Sequence, residues 1–300
     1  MQKLTGLLQA GKAGFHQVAT PFLDQPGLPF ADALSAADIQ QAFAERNALF
    51  ATHATFSTPI VLWAFLAQAL KDGKGAACAA AVADIATYMQ QVGGPVPSGD
   101  TGDYCRARAK LDLEALRRLT VQTARRLESQ ADSSWLFHGL HPKLIDGFTF
   151  TMPDTDDNQK QFPQQRNQRA GAGFPIARAC VVLSLATAAV QDMNIGPYEG
   201  KQTGESALLR GILDCLHPGD VAVVDRSFCS FLMLALLRMR GMYFCARLHQ
   251  RRPVDFRQGR RLGPAGRPKD DRSWLTAFVP PELNVVDMVG TGQRVGYLPQ

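Results

Sequence analysis

Leu144-Ile145-Asp146-Gly147-Phe148-Thr149-Phe150-Thr151-Met152-Pro153-Asp154-Thr155 and Gly219-Asp220-Val221-Ala222-Val223-Val224-Asp225-Arg226 each carry an apolar run that meets an aspartate. In the second stretch, four β-favouring or small apolar residues follow a Pro-Gly-Asp turn signal, which predicts a buried central strand with Asp225 at its exit. In the first, Phe148, Phe150 and Met152 alternate with Thr149 and Thr151, the period of a strand with one apolar face. Asp146 shares the parity of the phenylalanines unless Gly147 makes a bulge. A carboxylate on the apolar side of a strand is costly unless a cation neutralises it. Two of them at two strand ends predict a site for a hard, oxygen-seeking cation. The plainer role of an aspartate at a strand end is to form a turn or cap a helix, and it stands beside the metal reading.

Outward from these strands, the surrounding chain reads as mixed α/β. Residues 179–186 and 188–195 are expected as two strands of a hairpin. An amphipathic helix is expected over 203–216, stopped by His217-Pro218-Gly219, with a second helix over 228–239 and a strand over 242–248. Residues 159–173 are polar and contain glycine, as a loop would. Upstream, 35–130 reads as all-helical. Ser35 is the expected N-cap of a helix running to about residue 50, and Thr58-Pro59 opens the next, with Trp63 and Phe65 as core. Further helices are expected over 75–91, 100–110 and 112–130. Residues 1–34 read as irregular. Residues 251–300 are rich in Arg, Gly and Pro, with short apolar pieces at 274–279 and 283–289.

Composition bounds the function. Three hundred residues, 46% hydrophobic and 20% charged, suit a globular chain with ample core. No apolar run approaches the roughly 20 residues of a membrane span, and no apolar stretch follows Lys3 as in a secretory signal. The six cysteines contain no Cys-x-x-Cys pair and the histidines no ligand spacing, which predicts reduced cytosolic thiols and no zinc site. The net charge of +5 is unevenly placed: residues 238–272 hold eleven Lys/Arg against three acids, a local +8. Such a block favours a polyanionic partner, nucleic acid first. Arg106, Arg108 and Lys110, with Arg117, Arg118, Arg125 and Arg126, decorate the last two helices of the helical region, as a solvated face or as phosphate contacts.

Several blocks, in order, resemble the catalytic half of a DDE transposase of the insertion-sequence 4 group. They are residues 144–155 with Asn158, Gly-Phe-Pro-Ile-Ala-Arg at 173–178, Ile-Gly-Pro-Tyr-Glu-Gly-Lys-Gln-Thr-Gly-Glu at 195–205, and Pro-Gly-Asp-Val-Ala-Val-Val-Asp-Arg-Ser-Phe at 218–228. Leu-Trp-Ala-Phe-Leu at 62–66 and Thr-Gly-Asp-Tyr-Cys-Arg-Ala-Arg at 101–108 resemble that group's helical N-terminal region. The resemblance spans about residues 35–285. It implies four parts: an irregular segment (1–34), a helical DNA-binding-type domain (35–138), a ribonuclease H-like mixed-sheet catalytic core (139–250), and the basic, partly irregular start of an inserted segment (251–300).

The family holds two divalent ions, Mg2+ or Mn2+, on two aspartates and a glutamate. By motif, Asp146 and Asp225 are the two aspartates, both catalytic and metal-binding. The implied activity is cut-and-paste transposition, DNA recombination by strand nicking and transfer. The implied partners are the element's ends and target DNA, with a second copy as a possible homodimer partner. The implied location is the bacterial cytoplasm, at the nucleoid. Arg106, Arg108, Arg247, Arg251, Arg252, Arg260 and Arg261 are the expected DNA contacts. The family's Tyr-x-x-Arg-x-x-x-Glu-x-x-x-x-x-x-Lys pattern is absent; Glu199, Glu205 and Glu282 do not match it, and Glu205 reads as favouring a helix N-terminus. A C-terminally truncated copy lacking the third acid is therefore the expectation. A DNA-binding remnant that does not cut, or that inhibits a full-length copy, is the alternative. An unrelated metal-dependent phosphohydrolase ranks last, because it would need no basic block.

Overall fold

The structure is a computed structural model that describes residues 17, 19–45, 55–167, 169, 171–247, 283–288 and 294–299. The chain divides into two compact units, residues 1–119 and 120–300.

The first unit is helical among its described residues: α1 (Phe30–Ala33), α2 (Ala36–Ala42), α3 (Thr58–Leu70), α4 (Cys78–Gln91), α5 (Gly102–Arg108) and the first part of α6 (Leu113–Ser129). Ser35 caps α2 as expected, its hydroxyl accepting from the N–H groups of Ala37 and Asp38. The helix ends at Ala42, short of the expected residue 50. Arg118 donates two hydrogen bonds to the Ala42 carbonyl, satisfying an acceptor that the next turn would have used. Ser57, rather than Thr58, precedes α3, with Pro59 in its first turn. Ile39, Phe43, Leu62, Ile85 and Tyr104 form the core around α3. Trp63 is buried there with its indole N–H donated to the Leu34 carbonyl.

The second unit is built on a mixed sheet, with a short α7 (Asp156–Gln161) after its first strand that reaches into the stretch expected as a loop. Its strands are β1 (His141–Thr151), β2 (Ile176–Ser184), β3 (Val190–Pro197), β4 (Asp220–Val224) and β5 (Tyr243–Arg247), with β6 (Leu283–Met288) and β7 (Arg294–Pro299) extending it. The order is β3-β2-β1-β4-β5-β7-β6. β1, β2 and β3 are antiparallel neighbours, whereas β4 lies parallel to β1 and to β5. Parallel neighbours need a crossover, and α9 (Phe231–Met239) provides the one from β4 to β5.

The 203–216 helix is a short α8 (Glu205–Arg210) followed by a 3-10 turn at Leu213–Cys215. The amide of Asn194, on β3, donates to the Leu208 carbonyl, the acceptor a continuing α-helix would give to Ile212. The Leu208 carbonyl also accepts from the Gly211 N–H, and the Ile212 N–H goes to Leu209 instead, the spacing of a 3-10 turn. Residues 294–299, a glycine-rich tail by sequence, pair as a strand with β5 and β6. Residues 274–279 lie outside the described residues. The core packs α8 and α9 on one sheet face, around Ile145, Val182, Leu209, Ile212, Phe228 and Leu237.

The division between units falls inside α6, earlier than residue 138. The last turn of α6 belongs with the sheet because Glu128 accepts from Lys143 Nζ and His141 Nδ1, both at 2.7 Å. Among the described residues, no helix is long and apolar enough to cross a membrane.

Candidate functional site

β1 pairs residue for residue with β2, from Lys143 opposite Ser184 to Thr151 opposite Ile176, so Gly147 makes no bulge. Asp146 therefore shares the face of Phe148 and Phe150, as its parity predicts. That face is not the buried one. Lys143 and Ile145 are the buried residues of β1, while Asp146 is exposed and Phe148 is 47% exposed. The cost of a buried carboxylate does not apply to Asp146, and the cation requirement drawn from it falls. Its Oδ1 accepts from the Gly147 N–H at 2.8 Å.

The same register fixes its neighbour. Ile145 stands opposite Val224 in parallel pairing, so Asp146 and Asp225 are the next residues on two adjacent strands. Asp225 is exposed, and its Oδ1 accepts from the Ser227 N–H at 2.7 Å and from the Ser227 hydroxyl at 2.5 Å. It thereby caps the 3-10 turn at Arg226–Phe228, the plainer role of a strand-end aspartate.

Glu205, the first residue of α8, reaches the same place. Its Oε2 lies 3.1 Å from the Ser227 Oγ. Ser227 thus faces two carboxylates with a single hydroxyl proton. Gly147 leaves room for this approach: a Cβ there would stand 2.3 Å from Glu205 Cγ and 2.4 Å from its Cδ. Beneath, burial first, then the Glu205 and Asp146 charges, push the Cys180 thiol up to about 12. Glu205 is the residue the sequence set aside as a helix starter, and Ser227 was not singled out. The one local signal was the Asp-x-Ser spacing at 225–227, which suits a capped turn.

The three carboxylates gather at one end of the sheet, but among the described residues no group of three His, Cys, Asp or Glu stands close enough to hold a metal ion as arranged. All three residues have oxygen donors of the kind a hard cation takes, and none makes an ion pair among the described residues.

The arginines separate. Arg106 is exposed and paired with Asp103 at 2.6 Å. Arg108 is engaged within the helical unit, donating to Gln68 Oε1 at 3.1 Å and lying 5.8 Å from the centre of the Tyr104 ring. Arg247 ends β5. Arg251, Arg252, Arg260 and Arg261 lie outside the described residues.

A second charged cluster escaped the sequence reading. Lys143 is 2% exposed and bonds Glu128, which also accepts from His141, Thr187 and Gln191. Burial pushes the Glu128 carboxyl up, but hydrogen bonds from Lys143, Ser184 and His141 together hold it below its ordinary value. The buried Asp220 takes the His217 N–H; burial, opposed by that bond and by Lys143, holds its carboxyl above the ordinary value. No local signal marks it, because Lys143 has the parity of the threonines of β1, the face that the alternation reads as polar.

A scan against protein-family models gives no match to the chain. A search of curated proteins likewise finds none that matches it.

Proposed function

We propose that this chain is the DNA-processing core of a DDE transposase of the insertion-sequence 4 group, built on a ribonuclease H-like sheet with Asp146 and Asp225 as two of its acids. One observation carries the reading: the β1–β4 register makes the two motif aspartates successors of paired residues on parallel strands. The Glu205 carboxylate, joined to Asp225 through Ser227, supports it. Like charges gathered in this way repel, and a divalent cation removes that cost.

Mg2+ or Mn2+ suits an all-oxygen set, and Asp146 and Asp225 would hold it. When bound, it supplies Lewis-acid stabilisation of phosphate oxygens and an activated water at neutral pH. The chain's own residues set the geometry. Ser227 fixes the Asp225 carboxylate, the Gly147 N–H fixes that of Asp146, and the basic 238–272 block supplies phosphate contacts. DNA is the partner, in the bacterial cytoplasm at the nucleoid, with a second copy completing a homodimer.

A second reading, DNA binding without cleavage, is favoured by the cap at Asp225. One oxygen of that carboxylate is already taken by two donors from Ser227. It also accords with the absence of the family's glutamate pattern.

The test is nicking of supercoiled DNA with Mg2+ or Mn2+, beside a gel-shift on the same DNA. Metal-dependent nicking that is lost in both Asp146→Ala and Asp225→Ala, with binding retained, supports the transposase core. Binding without nicking supports the second reading. Failure to bind DNA sinks both.

A further inference from the structure

Arg178 lies on β2, opposite Thr149 of β1 and Gly196 of β3. Strand alternation puts it on the face of Cys180 and Gly147, the face that the Glu205 side chain approaches. Cys180 is two residues on, about 7 Å along the strand. β4 pairs with β1 only as far as Ile145 opposite Val224, so Arg178 stands on the part of the sheet that runs past Asp225.

Its side chain is half-buried and held on two sides. The guanidinium carbon lies 4.8 Å from the centre of the Tyr198 ring. Nη1 donates to the Thr203 carbonyl at 3.3 Å, two residues before Glu205. Tyr198 is anchored in turn, its backbone N–H donating to the Ile176 carbonyl. The Arg178 Nε is shielded from solvent and has no hydrogen-bond partner. Nearby acids are engaged elsewhere: Glu199, next to Tyr198, faces Arg166 at 3.8 Å, and Glu205 bonds Ser227. Among the described residues, one carbonyl thus serves a cation that carries five N–H donors.

A cation withdrawn from water needs a counter-charge, and shielded donors are almost always satisfied. The planar guanidinium fork matches the oxygens of a phosphate, and stacking on an aromatic ring fixes its plane before a ligand arrives. A clamp on the 198–204 loop accounts for the Tyr198 and Thr203 contacts, but not for a guanidinium whose other donors are uncommitted. We propose that Arg178 is a phosphate-binding residue, its Nη donors gripping the oxygens of a phosphate group while Tyr198 holds the fork in place. Its position beside Glu205 makes that group a phosphodiester flanking the one at the acids. A DNA strand as the source of the phosphate rests on the function proposed above; the anion site itself does not.

The full chain is tested with two probes. Fluorescence anisotropy follows a labelled DNA duplex through a salt series. Arg178→Gln, losing one phosphate contact, should bind more weakly and lower the log–log salt slope by about 0.9. Arg178→Lys should keep the slope and lose affinity, because a point charge cannot make the paired grip. Pyrophosphate without DNA should raise the Tm of the wild type by more than that of Arg178→Gln. Arg210→Gln, at an exposed arginine of α8, should respond as the wild type does. A reduced pyrophosphate response with an unchanged salt slope supports the anion site and removes DNA as its source. Failure of the wild type to bind DNA sinks the function proposed above, and pyrophosphate then decides the site alone. Arg178→Gln that matches the wild type with both probes overturns the proposal and leaves Arg178 as a loop clamp. If that variant does not fold, Arg178→Lys decides: weaker binding supports the phosphate grip, and wild-type affinity for both probes overturns it.

Discussion

Lys143 and Asp146 stand three residues apart on β1, on opposite faces of the sheet, and their charges are handled in opposite ways. Lys143 is withdrawn from water and bonded to Glu128, with the buried Asp220 close enough to feel its charge. Asp146 is exposed, and its hydrogen bond comes from the backbone of the next residue. The first arrangement is complete in itself, as a buried ion must be. The second leaves carboxylate oxygens of Asp146, Asp225 and Glu205 open to solvent or to a ligand. Charge committed to structure lies within one turn of the pleat from charge held in reserve.

Breaking the committed end should give the largest effect. Glu128→Ala leaves the Lys143 ammonium buried without its main partner, and should cost about 3 kcal/mol of stability in urea unfolding. A cost below about 1 kcal/mol would mean that Asp220 alone suffices for Lys143.

At the open end, Asp225→Asn separates capping from charge. Asn caps turns about as well as Asp, so stability should change by only a few tenths of a kcal/mol. If Asp225 also holds a metal ion, any nicking should fall by at least about a hundredfold, because a displaced reacting group alone costs that much. An Asn variant with unaltered nicking would leave Asp225 as a cap and nothing more.

Gly147→Ala tests how closely the acids are gathered. The added methyl displaces the Glu205 side chain, and the expected cost is about 1 kcal/mol. Mn2+ affinity, read by paramagnetic broadening, should fall in the same variant. An unchanged affinity would remove Glu205 from the site.

The smallest expected effect is in pH dependence. The folded-state value of Glu128 is depressed below its ordinary 4.5. Its contribution to stability is therefore complete above pH 4.5 and lost as pH falls through the folded value. Urea midpoints from pH 6 downward should show a shallower acid loss in Glu128→Gln than in the wild type.

Much of this contrast was half legible. The alternation over 148–152 places Asp146 correctly by parity, because strand period survives any tertiary context. Which face is buried was not legible. Two phenylalanines mark a face as apolar, but the helices that cover a sheet choose the other one here, and Phe148 stays exposed. Nothing in the local sequence marks Lys143, because its partner Glu128 sits on a helix fifteen residues upstream and Asp220 arrives from β4. Glu205 could be read as a helix starter from its own neighbours. Its approach to Gly147 depends on how the chain after β3 brings α8 back across the sheet, which no local pattern carries. The Asn194 amide that bonds the Leu208 carbonyl at the end of α8 is a contact of the same long-range kind.

The unbroken pairing of β1 with β2 has a consequence for folding fidelity. In a bulge-free ladder, a slip of one position exchanges the two faces of the strand. In β1 that error would bring Leu144 into the acidic pocket built for Lys143, leaving Glu128 and Asp220 without their cation. It would also turn Asp146 toward the apolar core beneath α8. Each misplacement is costly, and both occur together, so the lysine and the aspartate act as a two-toothed key that admits a single alignment of the strand. Charges that look opposed in the finished protein cooperate while it is being assembled.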